Sequence, residues 1–338
     1  MSEAPTSLRV AVVGAGLMGR WHAHAVERVG GRVVAIVDTD TDRSAALATR
    51  LSSRPVVESE LGRALRGHAV DVLHVCTPLA THDALVAEAL EVGVHVLAEK
   101  PLAGDAAAVE RLHTLAATRG VLLCPVHQFL FQPGVLIAAR TLPSLGAVRQ
   151  LDVVACSAGA DGMPDEAREA VALDILPHGL ALAGRLLEAR LARVSWHVGT
   201  GPAGELRALA DVGDTSVMLA VSMHARPTEN SMTVRCDLGT IRANLYHGYA
   251  TIERGTPSRM DKVGRPIVGS VLTLGAAFQS LGLRAARGET AYPGLRELVR
   301  RFHRACAGQG TSPITVEDSI DVARARDSIS VARRRATR

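Results

Sequence analysis

Lysine is almost missing from this chain of 338 residues. There are two, Lys100 and Lys262, against 36 arginines. Arginine stays protonated at any working pH and cannot pass protons, whereas a desolvated lysine can. Aromatic residues make up only 3% of the chain, which leaves few platforms on which bases could stack. The net charge of +4 therefore does not point to nucleic acid, because the arginines are spread along the chain and only Arg333, Arg334 and Arg335 form a run. Cysteines are few and scattered: Cys76, Cys124, Cys156, Cys236 and Cys306, with no Cys-x-x-Cys pair. That pattern excludes a disulfide framework and a cysteine-rich zinc site, and it suits a reducing compartment. His22 and His24 lie two apart on a helical stretch and so point to different faces; they read as helix-surface histidines, and no metal is expected. No apolar run stands out as long enough to cross a bilayer, and Met1–Ser7 lacks the basic and apolar regions of a signal peptide. The expectation is a soluble, cytoplasmic protein with neither nucleic acid nor membrane as partner.

Hydrophobic residues at 47% and charged residues at 21% allow two domains with real cores. From Leu8 to Leu123, short apolar runs alternate with amphipathic stretches. The runs predict strands at Leu8–Val13, Val33–Val37, Pro55–Val57, Val72–Val75, Val94–Leu97 and Val121–Leu123. The stretches predict helices at Met18–Val29, Thr41–Leu51, Thr81–Glu91 and Asp105–Arg119. This alternation argues for a doubly wound parallel sheet of the Rossmann type. Gly14, Gly16 and Gly19 form a G-x-G-x-x-G between the first strand and its helix. Gly14 allows the tight turn, Gly16 the approach of a pyrophosphate, and Gly19 close packing of helix on strand. Asp38, at the end of the second strand and 19 residues past Gly19, can accept hydrogen bonds from the ribose hydroxyls of NAD and would repel the 2′-phosphate of NADP. NAD is the expected cofactor and NADP the lesser one.

Val75-Cys76-Thr77-Pro78 follows the fourth strand and Ala98-Glu99-Lys100-Pro101 the fifth. With the glycine loop, these segments resemble the Gfo/Idh/MocA family of NAD(P)-dependent oxidoreductases, and the stretch Val70–Leu102 is similar to that family along its whole length. The resemblance implies that Lys100 faces the substrate beside the nicotinamide, that Glu99 and Pro101 shape the turn, and that the Lys100–Pro101 bond is cis. Around the cofactor it gathers Gly14, Gly16, Leu17, Met18, Gly19, Asp38, Thr77, Pro78, His82, Glu99 and Lys100. The family's Asp-x-x-x-His signature falls on Asp174-Ile175-Leu176-Pro177-His178. A spacing of four places Asp174 and His178 on one helix face. Pro177 is expected in the first turn of that helix, with Asp174 also suited to capping it. By this resemblance Lys100, Asp174 and His178 are the catalytic residues, joined at the substrate by His127 and Gln128. The chain departs from the family in two places. Arg168–Leu173 stands where many members are glycine-rich, and Leu130 takes the place of a basic residue.

Beyond Val126 the pattern changes. A helix at Gly134–Leu142 leads to an extended run at Val148–Ala155. Strand-like segments follow at Ala192–Val198, Ala208–Asp211, Ser216–His224, Ser231–Cys236, Gly239–Ala243 and Ala250–Glu253. They predict an α+β domain on a large, mostly antiparallel open sheet, so the chain divides into a dinucleotide-binding domain over 7–125 and a substrate-binding and oligomerisation domain over 126–338. Gly255–Ser270, with its prolines and glycines, reads as an irregular loop, and Glu317–Ala332 as a helix capped by Thr315. The resemblance implies hydride transfer to or from a sugar, cyclitol or nucleotide-sugar-like substrate in a homodimer or homotetramer. The alternatives are a reductase of an imine or enone, an NAD-dependent glycosidase of the same fold, and an NAD-binding sensor without turnover.

Overall fold

The computed structural model describes residues 7–255, 259–289 and 291–336, with the backbone alone for 259–262. The N-terminal residues read above for a signal peptide lie, apart from Ser7, outside this range. The chain forms two compact units. One runs up to His127 and takes in Leu295–Ala323; the other comprises Gln128–Gly294 and the chain from Arg324 onward.

In the first unit, β1 (Arg9–Val13), β2 (Arg32–Val37), β3 (Val56–Glu58), β4 (Val72–Val75), β5 (His95–Ala98) and β6 (Leu123–Pro125) alternate with α1 (Leu17–Arg28), α2 (Thr41–Ala48), α3 (Leu61–Gly67), α4 (His82–Glu91) and α5 (Ala106–Arg119). The sheet order is β3-β2-β1-β4-β5-β6, and every pairing is parallel. Strands covered on both faces need continuous apolar runs; Val10, Val12, Ile36, Leu73, Val96 and Leu97 are fully buried. Each such side chain contributes about 1.5–3 kcal/mol. Asp105 caps α5 by accepting from the Ala108 N–H at 2.8 Å, and the helix ends at Gly120 with φ of +67°. Two details differ from expectation. β6 starts two residues later than its apolar run, and α3 has no predicted counterpart because seven residues with two buried side chains are too few for a periodic signal.

The second unit begins with α6 (Pro133–Thr141), β7 (Val148–Cys156) and α7 (Asp165–Leu187). Its sheet continues through β8 (His197–Val198), β9 (Glu205–Val212), β10 (Thr215–Ser222), β11 (Glu229–Cys236), β12 (Gly239–Asn244) and β13 (Tyr249–Arg254), and α8 (Arg259–Arg287) follows. The order is β13-β12-β11-β7-β10-β9-β8. Only β7 and β10 pair in parallel, so the sheet is mixed but mostly antiparallel. Along β9, Leu206, Ala208 and Ala210 are buried while Arg207, Leu209 and Asp211 face out. The strand expected at Ala192–Val198 shrinks to a short 3-10 turn at Leu191–Arg193 and the two residues of β8. Buried Leu191 anchors the turn, and its carbonyl accepts from the Trp196 indole N–H at 3.4 Å.

Two expectations for long helices are corrected. α7 starts at Asp165, so Pro177 and Asp174 lie in its interior rather than in a first turn or at a cap. The buried face Ala172, Leu176, Leu180, Ala183 runs through the proline, and this burial outweighs the roughly 3 kcal/mol that an interior proline costs a helix. Residues 255–270 do not form an irregular loop: α8 occupies them from Arg259 onward, while Thr256–Ser258 lie outside the described residues. Val263, Ile267, Val271, Leu274, Phe278 and Leu281 recur at spacings of three and four and are all exposed. That helical period prevails over the glycines and Pro266. α7 and Val263–Arg287 are also long and apolar enough to cross a membrane, which corrects the reading that no such run exists. α7, however, is more than half buried in its own unit. The chain ends with α9 (Leu295–Cys306) and α10 (Val316–Ala336). The Thr315 hydroxyl accepts from the Asp318 N–H at 3.0 Å and caps α10 as expected.

Candidate active site

Strand register assembles the first unit's site. Val13 pairs with Val37 on one side and Val75 on the other, and Val75 pairs with Ala98. The next residues, Asp38, Gly14, Cys76 and Glu99, therefore emerge side by side at the C-terminal edge. They span about 14 Å at the usual strand spacing. The strand order reverses between β1 and β4, and crevices for ligands open at such points.

The glycine loop has little freedom. Gly14 donates its N–H to the Val37 carbonyl at 2.8 Å and has φ of +95°; a Cβ there would lie 2.5 Å from the Cys76 carbonyl oxygen. A Cβ on Gly19 would meet the Gly14 oxygen at 1.7 Å, whereas one on Gly16 would meet nothing within 4 Å. Thus Gly14 and Gly19 are required by packing, and the space over Gly16 remains for a ligand. α1 has no side-chain cap and no acidic residue in its first turn, which leaves backbone N–H groups at Leu17 and Met18 facing outward for an anion. These features fit a dinucleotide's pyrophosphate. The Asp38 carboxylate accepts from the Ala15 N–H at 2.7 Å and the Asp40 N–H at 3.0 Å. Each of its oxygens has a further lone pair for a ribose hydroxyl.

The two proline turns are tied together. His82 is buried, with Nδ1 2.9 Å from the Pro101 carbonyl oxygen and Nε2 2.9 Å from that of Thr77. The ring lies between the two backbone carbonyls, donating to one of them through whichever nitrogen carries the proton, and so braces Thr77-Pro78 against Lys100-Pro101. The Thr77 hydroxyl oxygen lies 2.8 Å from that of Thr81. The Lys100–Pro101 bond is cis, as the resemblance implies. Lys100 is half-buried; its N–H donates to the Glu99 carboxylate at 3.3 Å.

Glu99 brings the main correction. His22 is not on the helix surface: it is fully buried, its Nε2 3.1 Å from Glu99 Oε1 and its Nδ1 3.0 Å from Nδ1 of His74. His24 is the exposed member of the pair. The signal was present in the sequence, because Gly19, His22, Ala23 and Val26 share one helix face. Burial works to raise the Glu99 carboxyl, but the His22 ring and the Lys100 charge outweigh it and hold the group below its ordinary value. Burial also pushes the Cys76 thiol well up, so Cys76 is no nucleophile.

The second unit places Asp174 and His178 one turn apart on α7, Asp174 half-buried and His178 buried. The His178 ring stacks on Phe129 with centroids 4.3 Å apart and planes 23° from parallel. Phe129 was not expected at the site. Next to His178, Gly179 lets α7 lie close to the sheet: a Cβ there would be 3.2 Å from Leu219. Gln128 is buried, and its side-chain oxygen has no hydrogen-bond partner among the described residues. His127, in the first unit, is also buried, and its N–H donates to the Pro125 carbonyl at 3.1 Å.

A nucleotide-binding α/β unit with these turns defines a dinucleotide-dependent protein class. Residues 8–127 match the model of the GFO_IDH_MocA oxidoreductase family, NAD-binding Rossmann fold, so this domain is of that family. It is 33% identical over 218 residues to the myo-inositol dehydrogenase Hyg17 of Streptomyces leeuwenhoekii, a match spanning 63% of this chain and 65% of that protein. The matched stretch thus spans just under two thirds of that relative. The fold resembles that of the UDP-N-acetylglucosamine 3-dehydrogenase GnnA from Acidithiobacillus ferrooxidans, with a TM-score of 0.76 and 20% identity over 98% of this chain and all of that one. It also resembles the 3-ketoreductase KijD10 from Actinomadura kijaniata, solved with NADP, with a TM-score of 0.73 and 22% identity over 97% and 98% of the two chains.

Proposed function

We propose that this protein is an NAD-dependent dehydrogenase or reductase acting on a secondary alcohol or ketone of a polyhydroxylated small molecule, a cyclitol or a nucleotide-linked sugar. The observation that carries the reading is Lys100 just past the end of β5, next to Glu99, at the same C-terminal sheet edge as the glycine loop. The names of the relatives, an inositol dehydrogenase and a UDP-sugar dehydrogenase, supply the substrate class. When bound, the nicotinamide accepts or returns the hydride. In the oxidising direction His178 takes the proton of the reacting hydroxyl, and Lys100 hydrogen-bonds the same oxygen as negative charge develops on it. Asp174, one turn before His178, orients the ring and a neighbouring substrate hydroxyl. Gln128 offers its buried side-chain oxygen to another hydroxyl, and His127 adds a polar contact. NAD is favoured over NADP because Asp38 stands at the ribose position, and the nearest arginine on α2, Arg43, is paired with Asp40 at 3.2 Å.

The protein works as a homo-oligomer in this reading. Val271, Leu274, Phe278 and Leu281 on α8 follow the alternating three-four spacing of a coiled-coil seam and are exposed; a second copy of α8 would cover them. All five cysteines are free thiols, which suits a reducing cytoplasm. The direct test is fluorescence titration with NADH and NADPH, then absorbance at the NADH band with inositols, UDP-sugars and their keto forms. A substrate-dependent change establishes the activity, and binding without change across the panel rejects it. Light scattering of the wild type and Phe278→Asp tests the seam: a monomeric wild type rejects it.

A further inference from the structure

We infer that His22, His74 and His303 form a buried proton-exchange row that serves Glu99 from the α9 side of the first unit and so adjusts the charge beside Lys100. This rests on the assignment of Lys100 to the reacting oxygen. Glu99 Oε1 lies 3.1 Å from Nε2 of His22, Nδ1 of His22 lies 3.0 Å from Nδ1 of His74, and Nε2 of His74 lies 3.2 Å from Nε2 of His303. All four groups are buried, the middle of the row most completely: His22 and His74 are 0% exposed, Glu99 and His303 7% each. Each inner ring uses nitrogens on its two opposite edges, so the lone pairs form a line and do not converge on a point. Accordingly, no group of three or more ligands suited to a metal occurs among the described residues.

Fixing Glu99 in place would need only His22. Two further imidazoles in an otherwise apolar interior, one of them inside the buried strand Val72-Leu73-His74-Val75, carry a desolvation cost that apolar residues would avoid. Their hydrogen bonds make sense as a path. With Glu99 ionised and all rings neutral, one arrangement satisfies every contact. His22 donates its Nε2–H to Glu99, His74 its Nδ1–H to His22, and His303 its Nε2–H to His74, which leaves the lone pair on His303 Nδ1. A proton arriving there shifts each of these three N–H protons one step along the row, and the last one forms the carboxylic acid of Glu99. The reverse shift returns a proton to His303. No oxidant or cofactor enters this exchange.

The neighbours support transit without storage. Burial, then the adjacent rings, hold His74 well below the usual histidine value, and burial, then the nearby His22 ring, lowers His303 to about 4. Lys100 and Cys76 are the other titratable groups acting on Glu99. While Glu99 is a carboxylate it favours the Lys100 ammonium; once neutral, it makes that ammonium a stronger acid toward the reacting oxygen. His22, His74 and His303 are positioning residues that act on Lys100 through Glu99.

Nitrogen NMR of histidine-labelled protein tests the row without any assay. In the wild type His74 should carry its proton on Nδ1, and Glu99→Gln, whose amide donates to His22, should move it to Nε2. A His74 tautomer that ignores Glu99→Gln overturns the inference. Where turnover is found, His74→Gln should lower kcat roughly 10- to 100-fold, raise the solvent isotope effect and leave NADH affinity unchanged. Unaltered kcat, pH profile and isotope effect would equally reject the row. If His74→Gln does not fold, His303→Ala replaces it, with loss of kcat restored by imidazole in proportion to the added base's pKa. An inactive wild type with a responsive His74 tautomer would reject the dehydrogenase reading and leave the row standing.

Discussion

The two units hold their candidate residues by opposite means. In the first, Asp38, the glycine loop, Thr77 and Lys100 come from four separate stretches of chain, and the register of a parallel sheet lines them up. In the second, Asp174 and His178 come from one turn of α7, and what fixes them is how that helix packs, through Gly179 on the sheet and Phe129 on the ring. A site set by register is rigid because every member follows within two residues of a paired strand end. One set by a helix face inherits any shift of the helix. The sharpest test of this contrast is Lys100→Ala, which should cut turnover at least a thousandfold while NADH affinity is retained, since its neighbours keep the edge in place. Normal turnover in that variant would remove Lys100 from the chemistry.

The same contrast explains what could be read from the sequence. The strands of the first unit fall within about two residues of their apolar runs because burial on both faces writes an uninterrupted signal. The glycine roles follow from contacts that a Cβ would make. The spacing of His22 to His24 does not reveal its burial, which follows from the helix face it shares with Ala23 and Val26. In the second unit Pro177, Gly264, Pro266 and Gly269 suggested breaks, yet α7 and α8 run through them. Tertiary burial decides the first, and a sustained helical period the second. The packing of α9 in the first unit, with His303, has no local signal at all.

Acid should separate the units next. His74, His113 and His303, all in the first unit, are buried and held below the ordinary histidine value, chiefly by burial, with His113 and His303 at about 4. The unfolded chain takes up protons below about pH 6.5 while these folded sites do not. Stability is therefore full above that pH and falls as pH drops toward 4. Glu99, held low in the folded state, adds to the loss in the same direction once pH passes below the unfolded carboxylate value. Each of His113 and His303 should cost about 2 kcal/mol between pH 6.5 and 5. Denaturant unfolding across that range checks it: His113→Gln should flatten the profile, and a wild type equally stable at pH 5 would refute the neutral assignment.

A smaller effect is expected at the cofactor. Asp38→Ala should shift the ratio of NAD to NADP affinity by about tenfold toward NADP, the worth of one charge-assisted hydrogen bond and one repulsion removed. Because Asp38 also holds the Ala15 N–H, affinity for both cofactors should fall somewhat. Titration with NADH and NADPH separates the two, and an unchanged ratio would show that Asp38 serves the loop alone.

The smallest expected effect probes the helix-borne side. Phe129→Leu keeps the volume near His178 but removes the stacked ring, a contact worth about 0.5–1.5 kcal/mol. Stability should fall by that order, and kcat should fall several-fold while cofactor affinity is kept, since Phe129 and His178 belong to the second unit. The ratio of the two losses is informative. A helix that holds His178 through Gly179 and the sheet would lose stability and keep its rate, whereas a ring oriented by Phe129 would lose rate beyond what stability predicts. Paired with Gly179→Ala, which moves α7 itself against Leu219, the variant distinguishes steering of the imidazole from seating of the helix. If both changes leave kcat untouched, His178 is not the general base, and the chemistry rests with the strand-end lysine.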